Sequence, residues 1–360
     1  MKAVAVFPAA RQVRIVERGE PRIAAPGEVL LRMLEVGVCG TDRDLCAFKF
    51  GTAPPGSDHF VLGHESLAEV VDVGPEVSRV RPGDLAVAVV RQPCDTAACP
   101  ACRSGRQDFC VTGGYRERGI KDLHGFMTGL VVEDQRYLYA LPRELRETGV
   151  LLEPLTIAEK ALAQFQAIEE RLPWKKDRLT AAVLGAGPVG LLGAMLFRSA
   201  GFETWVYSRE RCPNARAEIA GAIGAHYVCS EEATPRQLAE LAGRIDVVYE
   251  AMGAPQPAFD MLEALGANGV FLFTGIPRMV DGLRLDLHHL LERMVLRNQV
   301  VMGTVNAGAD AFEAAVRDLA AFERQWPQAL RALITCRYPI EGFREAIDSP
   351  GAIKNVIEMG

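Results

Sequence analysis

Two clusters of metal-capable side chains and one glycine-rich hexapeptide carry the chemistry available to this chain. Cys94, Cys99, Cys102 and Cys110 fall in the spacing C-x4-C-x2-C-x7-C. Four thiolates so spaced can close a tetrahedral structural zinc site from a loop. The stretch from Arg91 to Cys102 is a loop by composition, rich in turn formers and small residues. Buried thiols or disulfides are the alternative, but disulfides need an oxidising compartment, and nothing in the sequence indicates one. Upstream, Val38-Cys39-Gly40-Thr41-Asp42 and Leu62-Gly63-His64-Glu65 set out a soft thiolate and an imidazole. A catalytic zinc takes about three protein ligands and keeps one position open. Cys39 and His64, completed by Glu65 or Glu153, supply that set. Taken singly, each is more simply a buried side chain; together, ahead of a cofactor motif, they read as a metal site.

Gly185-Ala186-Gly187-Pro188-Val189-Gly190 matches G-x-G-x-x-G between an apolar strand, Leu179 to Leu184, and a helix from Val189 to Ala200. That setting makes the hexapeptide a dinucleotide fingerprint. Gly185 permits the tight turn, Gly187 lets the backbone approach the pyrophosphate, and Gly190 allows close helix–strand packing. The helix start then offers free N–H groups and a positive dipole end to the phosphates. At the end of the next strand the chain reads Tyr207-Ser208-Arg209-Glu210-Arg211. An NAD site places an acid there to accept from the ribose hydroxyls, and Arg209 stands in its place. A guanidinium suits a 2′-phosphate, so NADP is the preferred cofactor, and Glu210 beside it keeps NAD possible.

The elements that must position these residues change character along the chain. The first half is short strands broken by Gly and Pro: Glu28 to Met33, Ser66 to Gly74, and Leu85 to Val90 after the turn Arg81-Pro82-Gly83-Asp84. This rhythm predicts an antiparallel barrel. Leu155 to Glu170 has a helical composition, and Leu172 to Asp177 reads as the join between domains. Strands then recur at Glu203 to Tyr207, Asp246 to Glu250 and Gly269 to Phe273, with helical stretches between, which predicts a parallel sheet. Beyond Ala307, Phe312, Ala315, Val316, Leu319 and Phe322 recur at helical spacing. Domain bounds of 1–178, 179–306 and 307–360 follow.

The 360 residues allow about two domains. A net charge of −6, from 40 Lys and Arg against 46 Asp and Glu, shows no footprint for nucleic acid. No apolar run reaches the roughly 18 residues of a membrane span, and the N-terminus turns polar by Arg11, too early for a signal peptide. Nine cysteines with metal-like clustering fit a reducing cytoplasm.

In their order, Val-Cys-Gly-Thr-Asp at 38–42, Gly-His-Glu at 63–65, the cysteine cluster and the Gly185 motif resemble the zinc-dependent medium-chain dehydrogenases, along essentially the whole chain. Arg106-Gln107-Asp108-Phe109-Cys110, Glu153-Pro154-Leu155 and Gly303-Thr304-Val305-Asn306 are similar to the glucose dehydrogenase branch. The resemblance implies an α/β fold, with a doubly wound Rossmann cofactor domain and a GroES-like β-barrel catalytic domain, assembled as a homodimer or homotetramer through edge strands around Gly269 to Gly303. It implies Zn2+ at both sites and oxidation of an aldose, glucose or galactose, at C1 to the lactone. By the same resemblance Glu65 and Glu153 exchange as catalytic zinc ligands, and Thr41 passes on the substrate proton. Glu117 and Asn306 bind sugar hydroxyls, and Asn306 also helps to place the nicotinamide.

The chain departs from that pattern in four places. The cysteine cluster carries two extra residues between its first and second thiol, which lets Asp95 compete with Cys94. Ile157, Val90 and Leu296 stand where the branch has polar residues. An unpaired sugar hydroxyl weakens binding, so another polyol, alcohol or sugar acid is the alternative substrate. A non-catalytic cofactor-binding protein is a third reading, opposed by Cys39, Thr41, His64 and Glu153.

Overall fold

The computed structural model describes residues 1–277 and 282–360. Two compact units emerge: Met1–Thr156 with Asn306–Gln325 and Ile334–Gly360, and Ile157–Val305 with Trp326–Leu333. The sequence places the first join near residue 178, after the helix. Instead the division falls inside helix Leu152–Glu169, whose uniform composition carries no mark of it. Leu172 to Asp177 is a turn within the second unit. Near the C-terminus, Trp326-Pro327 ends one helix and starts another. Ala309–Gln325 belongs to the first unit, while Pro327–Ala332 packs on helix Ala215–Ala222 of the second.

In the first unit, antiparallel pairing dominates, in a seven-stranded sheet and two three-stranded ones. Strand Glu28–Gly37 is the centre of the large sheet, and its alternating burial reflects a period of two. One edge pairs with Glu65–Val73. The other is shared: Leu130–Asp134 covers its start and Lys354–Glu358 its end. Gly37 therefore stands opposite both Glu65 and Val356. Leu31, Met33, Leu62, Val70 and Phe126 form the core beneath.

The second unit is the parallel sheet that the strand–helix alternation predicts. Its six strands run in the spatial order His226–Cys229, Glu203–Ser208, Thr180–Leu184, Ile245–Glu250, Leu265–Phe273 and Val300–Gly303. Counted along the chain, that is 3-2-1-4-5-6, the dinucleotide-binding order whose switch point lies beside the first strand. Helix Pro188–Ser199 follows that first strand, with proline in its opening turn. It lies close to the sheet because Gly193 faces Tyr249; a Cβ there would come 2.5 Å from the ring. No helix of the described residues is long and apolar enough to cross a membrane.

One buried carboxylate ties the start of the first strand to the fourth. Asp246 accepts from the Thr180 backbone N–H at 3.0 Å. It also pairs with Lys176 at 3.1 Å and Arg244 at 2.9 Å, while itself 1% exposed. The Lys176 side chain is 4% exposed and also pairs with Glu169 at 3.0 Å, so removing Asp246 leaves a buried cation with one partner and a backbone donor with none. Asp246→Ala is expected to cost about 3–5 kcal/mol, read as a lowered midpoint in chemical denaturation.

Candidate active site

Helix Gly40–Cys46 opens where strand Glu28–Gly37 has just ended, with Cys39 as its N-cap. Asp42, in the third position of the helix, reaches back so that its Oδ2 accepts from the Cys39 backbone N–H at 2.8 Å. Its other oxygen faces His64 Nδ1 at 3.6 Å, and both atoms are buried without a hydrogen-bond partner. A single carboxylate thus holds the segment of one candidate ligand and orients the ring of another, the arrangement that fixes the tautomer of a metal-binding histidine. Burial opposes charging of His64, but the neighbouring Asp42 outweighs it and raises the imidazole well above its ordinary range.

His64 and Glu65 sit where the chain passes from a tight turn into strand Glu65–Val73. Gly63 adopts φ +91°, a conformation that favours glycine. A Cβ on Gly125 would lie 2.3 Å from the Gly63 carbonyl, so the turn is clamped from outside. The Glu65 carboxylate occupies space that any side chain on Gly37 would fill: a Cβ there would stand 2.1 Å from Glu65 Oε2. Lys354, only 1% exposed, donates to Glu65 Oε2 at 2.5 Å and to the Val38 carbonyl at 3.0 Å. Ligand atoms of Cys39, His64 and Glu65 lie within 4.8 Å of one another. A thiolate, an imidazole and a carboxylate at that separation fit a zinc ion, and the orphaned polar atoms around them fit a centre that is ordered by a cation.

Glu153, in the first turn of its helix, is buried beside this group. Burial raises its carboxyl above the usual range, Glu65 adds to the rise, and His64 opposes it. Thr41 follows Cys39 by two residues, half-buried in the same helix.

The cysteine loop forms a separate lobe around helix Pro100–Arg103 and the turn Gln107–Phe109. Sγ atoms of Cys94, Cys99, Cys102 and Cys110 lie within 4.8 Å of one another, and all are free of disulfides. Cys94 points inward, while the Asp95 carboxylate is 89% exposed and faces Arg116 at 3.7 Å. Four thiols this close cannot all ionise without a cation among them, so this donor set also fits zinc.

Glu117 and Asn306, 189 positions apart, meet in the first unit: Asn306 Nδ2 donates to Glu117 Oε1 at 3.1 Å. Arg91 donates to the same oxygen through Nε at 2.9 Å and stacks 3.7 Å over the Tyr115 ring. Val90 is buried just before it, Ile157 is half-buried, and Leu296 is exposed on helix Leu287–Leu296.

In the second unit, Gly185 has φ +97°, and a Cβ on Gly190 would lie 2.0 Å from the Gly185 carbonyl. Pro188 and Val189 open the helix on which Gly190 lies. Around Gly187, by contrast, a Cβ would meet no atom within 4 Å, which leaves the backbone open to a ligand. Ser208 donates to Glu210 Oε2 at 2.7 Å, so the acid beside the second strand is already engaged. Arg209 is exposed, and Arg216 reaches the loop, donating to the Ala186 carbonyl at 3.1 Å. Nothing in the sequence marks Lys354, Arg91 or Arg216 for a role in these sites. Asp42 lay inside a quoted motif as a signal, whereas Lys354, 289 positions from Glu65, gave none.

Comparison with known proteins agrees with this architecture. Residues 25–143 match the alcohol dehydrogenase GroES-like domain, and residues 146–359 match the glucose dehydrogenase C-terminus. A glucose 1-dehydrogenase of Methanocella arvoryzae is 38% identical over the full length of both chains. One from Thermoproteus tenax is 38% identical over 96% of this chain and 95% of its own. Among solved structures, Haloferax mediterranei glucose dehydrogenase in complex with NADP, Zn and gluconolactone superposes with a TM-score of 0.90 at 32% identity, covering 100% of this chain and 99% of that one. The chain belongs to the glucose dehydrogenase branch of the zinc-dependent medium-chain dehydrogenases.

Proposed function

We propose that this protein oxidises an aldose at C1 to its lactone, as a zinc-dependent NAD(P)-linked dehydrogenase, with glucose or galactose first among substrates. The observation that carries the reading is the convergence of Cys39, His64 and Glu65, braced by Asp42 and Lys354. The names of the relatives and the ligands of the Haloferax complex support it.

When bound, zinc supplies a Lewis acid toward the C1 oxygen, and the oxidised nicotinamide supplies the hydride acceptor. Cys39, His64 and Glu65 would hold the ion, and Glu153, buried beside them, would be the carboxylate able to take the place of Glu65. Burial raises its affinity for a proton, and a neighbouring cation would favour its charged form. Thr41, beside Cys39, takes the C1 hydroxyl proton and passes it toward solvent. Glu117 Oε1 is held by Arg91 and Asn306, which leaves Oε2 to accept from a sugar hydroxyl. Asn306 fixes that carboxylate and helps to place the nicotinamide ring. Cys94, Cys99, Cys102 and Cys110 hold the structural zinc. Val90, Ile157 and Leu296 bring no hydrogen-bonding group, which makes another polyol, alcohol or sugar acid the second reading.

NADP is the preferred cofactor and NAD remains usable. Gly185, Gly187, Pro188, Val189 and Gly190 form the phosphate loop, and Ser208 and Arg209 meet the adenosine ribose. Because Ser208 occupies Glu210, the exposed Arg209 is the group available for a 2′-phosphate. A homodimer or homotetramer fits the apolar face of helix Leu287–Leu296, where Leu287, Leu291, Val295 and Leu296 are exposed. It also fits strand Val300–Gly303, which among the described residues pairs on one edge only. Free thiols suit a cytoplasmic enzyme.

Initial rates of NADP reduction across aldoses, with small alcohols and polyols as controls, test the substrate assignment. Preferential turnover of glucose or galactose is expected; activity confined to alcohols or polyols would keep the metal chemistry and overturn the sugar reading. For the cofactor, Arg209→Ala removes a charge-assisted contact worth about 1.5–3 kcal/mol. It is expected to raise KM for NADP about 10- to 100-fold and to leave KM for NAD within about twofold; equal changes would remove Arg209 from the 2′-phosphate site.

A further inference from the structure

Away from the candidate active site, the first unit holds a cavity of about 570 Å³ lined by Arg11, Arg14, Arg43 and Arg344, with Phe48 and a single acid, Asp348. Four cations against one anion invert the balance of the chain, in which 46 acidic residues outnumber 40 basic ones. None of the four guanidiniums is paired with a carboxylate among the described residues. They are held by other means. Arg43 Nε donates to the Ile347 carbonyl at 2.6 Å, and Arg344 donates to the Val13 carbonyl. Arg11 lies 4.9 Å over the Phe48 ring, and Arg14 lies 4.3 Å over Phe7. All four are exposed, with Asp58 near Arg14 and Asp348 on the cavity wall; these contacts restrain where the guanidiniums stand and leave positive charge in excess.

The backbone of the same wall is strained. Arg11 has φ 49° and Phe48 has φ 57°; the other non-glycine residues with positive φ among the described residues are Asp or Asn. Asp and Asn tolerate that region, whereas a bulky side chain rarely enters it. Strain held in this way accompanies ligand clamps and other functional sites, and here both strained residues stack on each other at the cavity. Cys46 also lines it. Burial, reinforced by Asp42, pushes its thiol up to about 12, so it adds no negative charge.

We propose that this cavity binds a multiply charged phosphate anion. Guanidiniums meet phosphate oxygens through paired N–H donors, and a chain of phosphates matches an excess of positive charge that one phosphate would leave partly unmet. The volume lies within the roughly 300–1,000 Å³ of small-molecule sites. Two sources share this chemistry, free inorganic polyphosphate and the phosphate chain of a nucleotide. The site is distinct from the phosphate loop of the second unit and does not depend on the identity of the sugar.

The test is calorimetric titration of the zinc-loaded enzyme, saturated with NADP so that the cofactor loop is filled, with inorganic triphosphate and separately with a nucleoside triphosphate. Zinc content is followed throughout, because phosphate chains chelate metals. One anion per chain is expected, bound more weakly as salt rises and at least tenfold more weakly in Arg11→Gln/Arg14→Gln. Tighter binding of the nucleotide would assign the site to a nucleotide, and equal binding to the phosphate chain alone; both support the proposal. Unchanged KM for NADP in the double variant shows that it folds. Absence of binding by either anion, or equal affinity in enzyme and variant, would overturn it. So would a variant whose only change is its oligomeric mass, since the cavity would then be an interface between copies.

Discussion

The arrangement depends on a buried ion pair. Lys354 and Glu65 are each about 1% exposed along their side chains and meet at 2.5 Å. Taking two such charges out of water is expensive, and their attraction offsets the cost only when further hydrogen bonds complete the geometry. The Val38 carbonyl supplies one for Lys354. A pair of this kind is weak evidence for stability, but it specifies position. It fixes which oxygen of Glu65 points to the lysine, and so where the other oxygen stands relative to Cys39 and His64.

That constraint reaches through the central sheet. Gly37 faces Glu65 across one edge of strand Glu28–Gly37 and Val356 across the other. A slip of one residue in either register would turn every side chain to the opposite face and separate the pair. Gly37 must also lack a side chain, because the carboxylate fills that space. Asp42 adds a second brace, tying the Cys39 backbone to the His64 ring. One carboxylate, Asp42, and one lysine, Lys354, thus position three candidate ligands drawn from two separate stretches of chain. A metal site is only as ordered as the groups that hold its ligands, and here those groups are buried and joined to backbone.

Local features of this molecule were legible in its sequence. The Gly185 loop, the parallel sheet and the cysteine cluster each depend on residues close together in the chain. Spacing and period therefore disclosed them, whereas the choice between Cys94 and Asp95 is left open by spacing and turns on the direction of two side chains. Features made by distant segments were not legible. Lys354 lies in Lys354–Glu358, a short strand whose sequence gives no sign that it completes the central sheet. Arg91 is one polar residue among many until it is seen to share Glu117 with Asn306. The division inside helix Leu152–Glu169 was hidden because a helix crossing a boundary keeps one composition throughout. Resemblance supplied Glu117, Asn306 and Thr41, and residue patterns alone would have passed over them.

The most direct test of this account is the zinc affinity of Lys354→Met, with zinc per chain measured after equilibration against a series of buffered zinc concentrations. The cysteine cluster is expected to stay filled while the second zinc binds about 10- to 100-fold more weakly, because Glu65 is no longer held in place. Two zinc ions per chain with unchanged affinity for both would contradict it, and would reduce the buried pair to a part of the core.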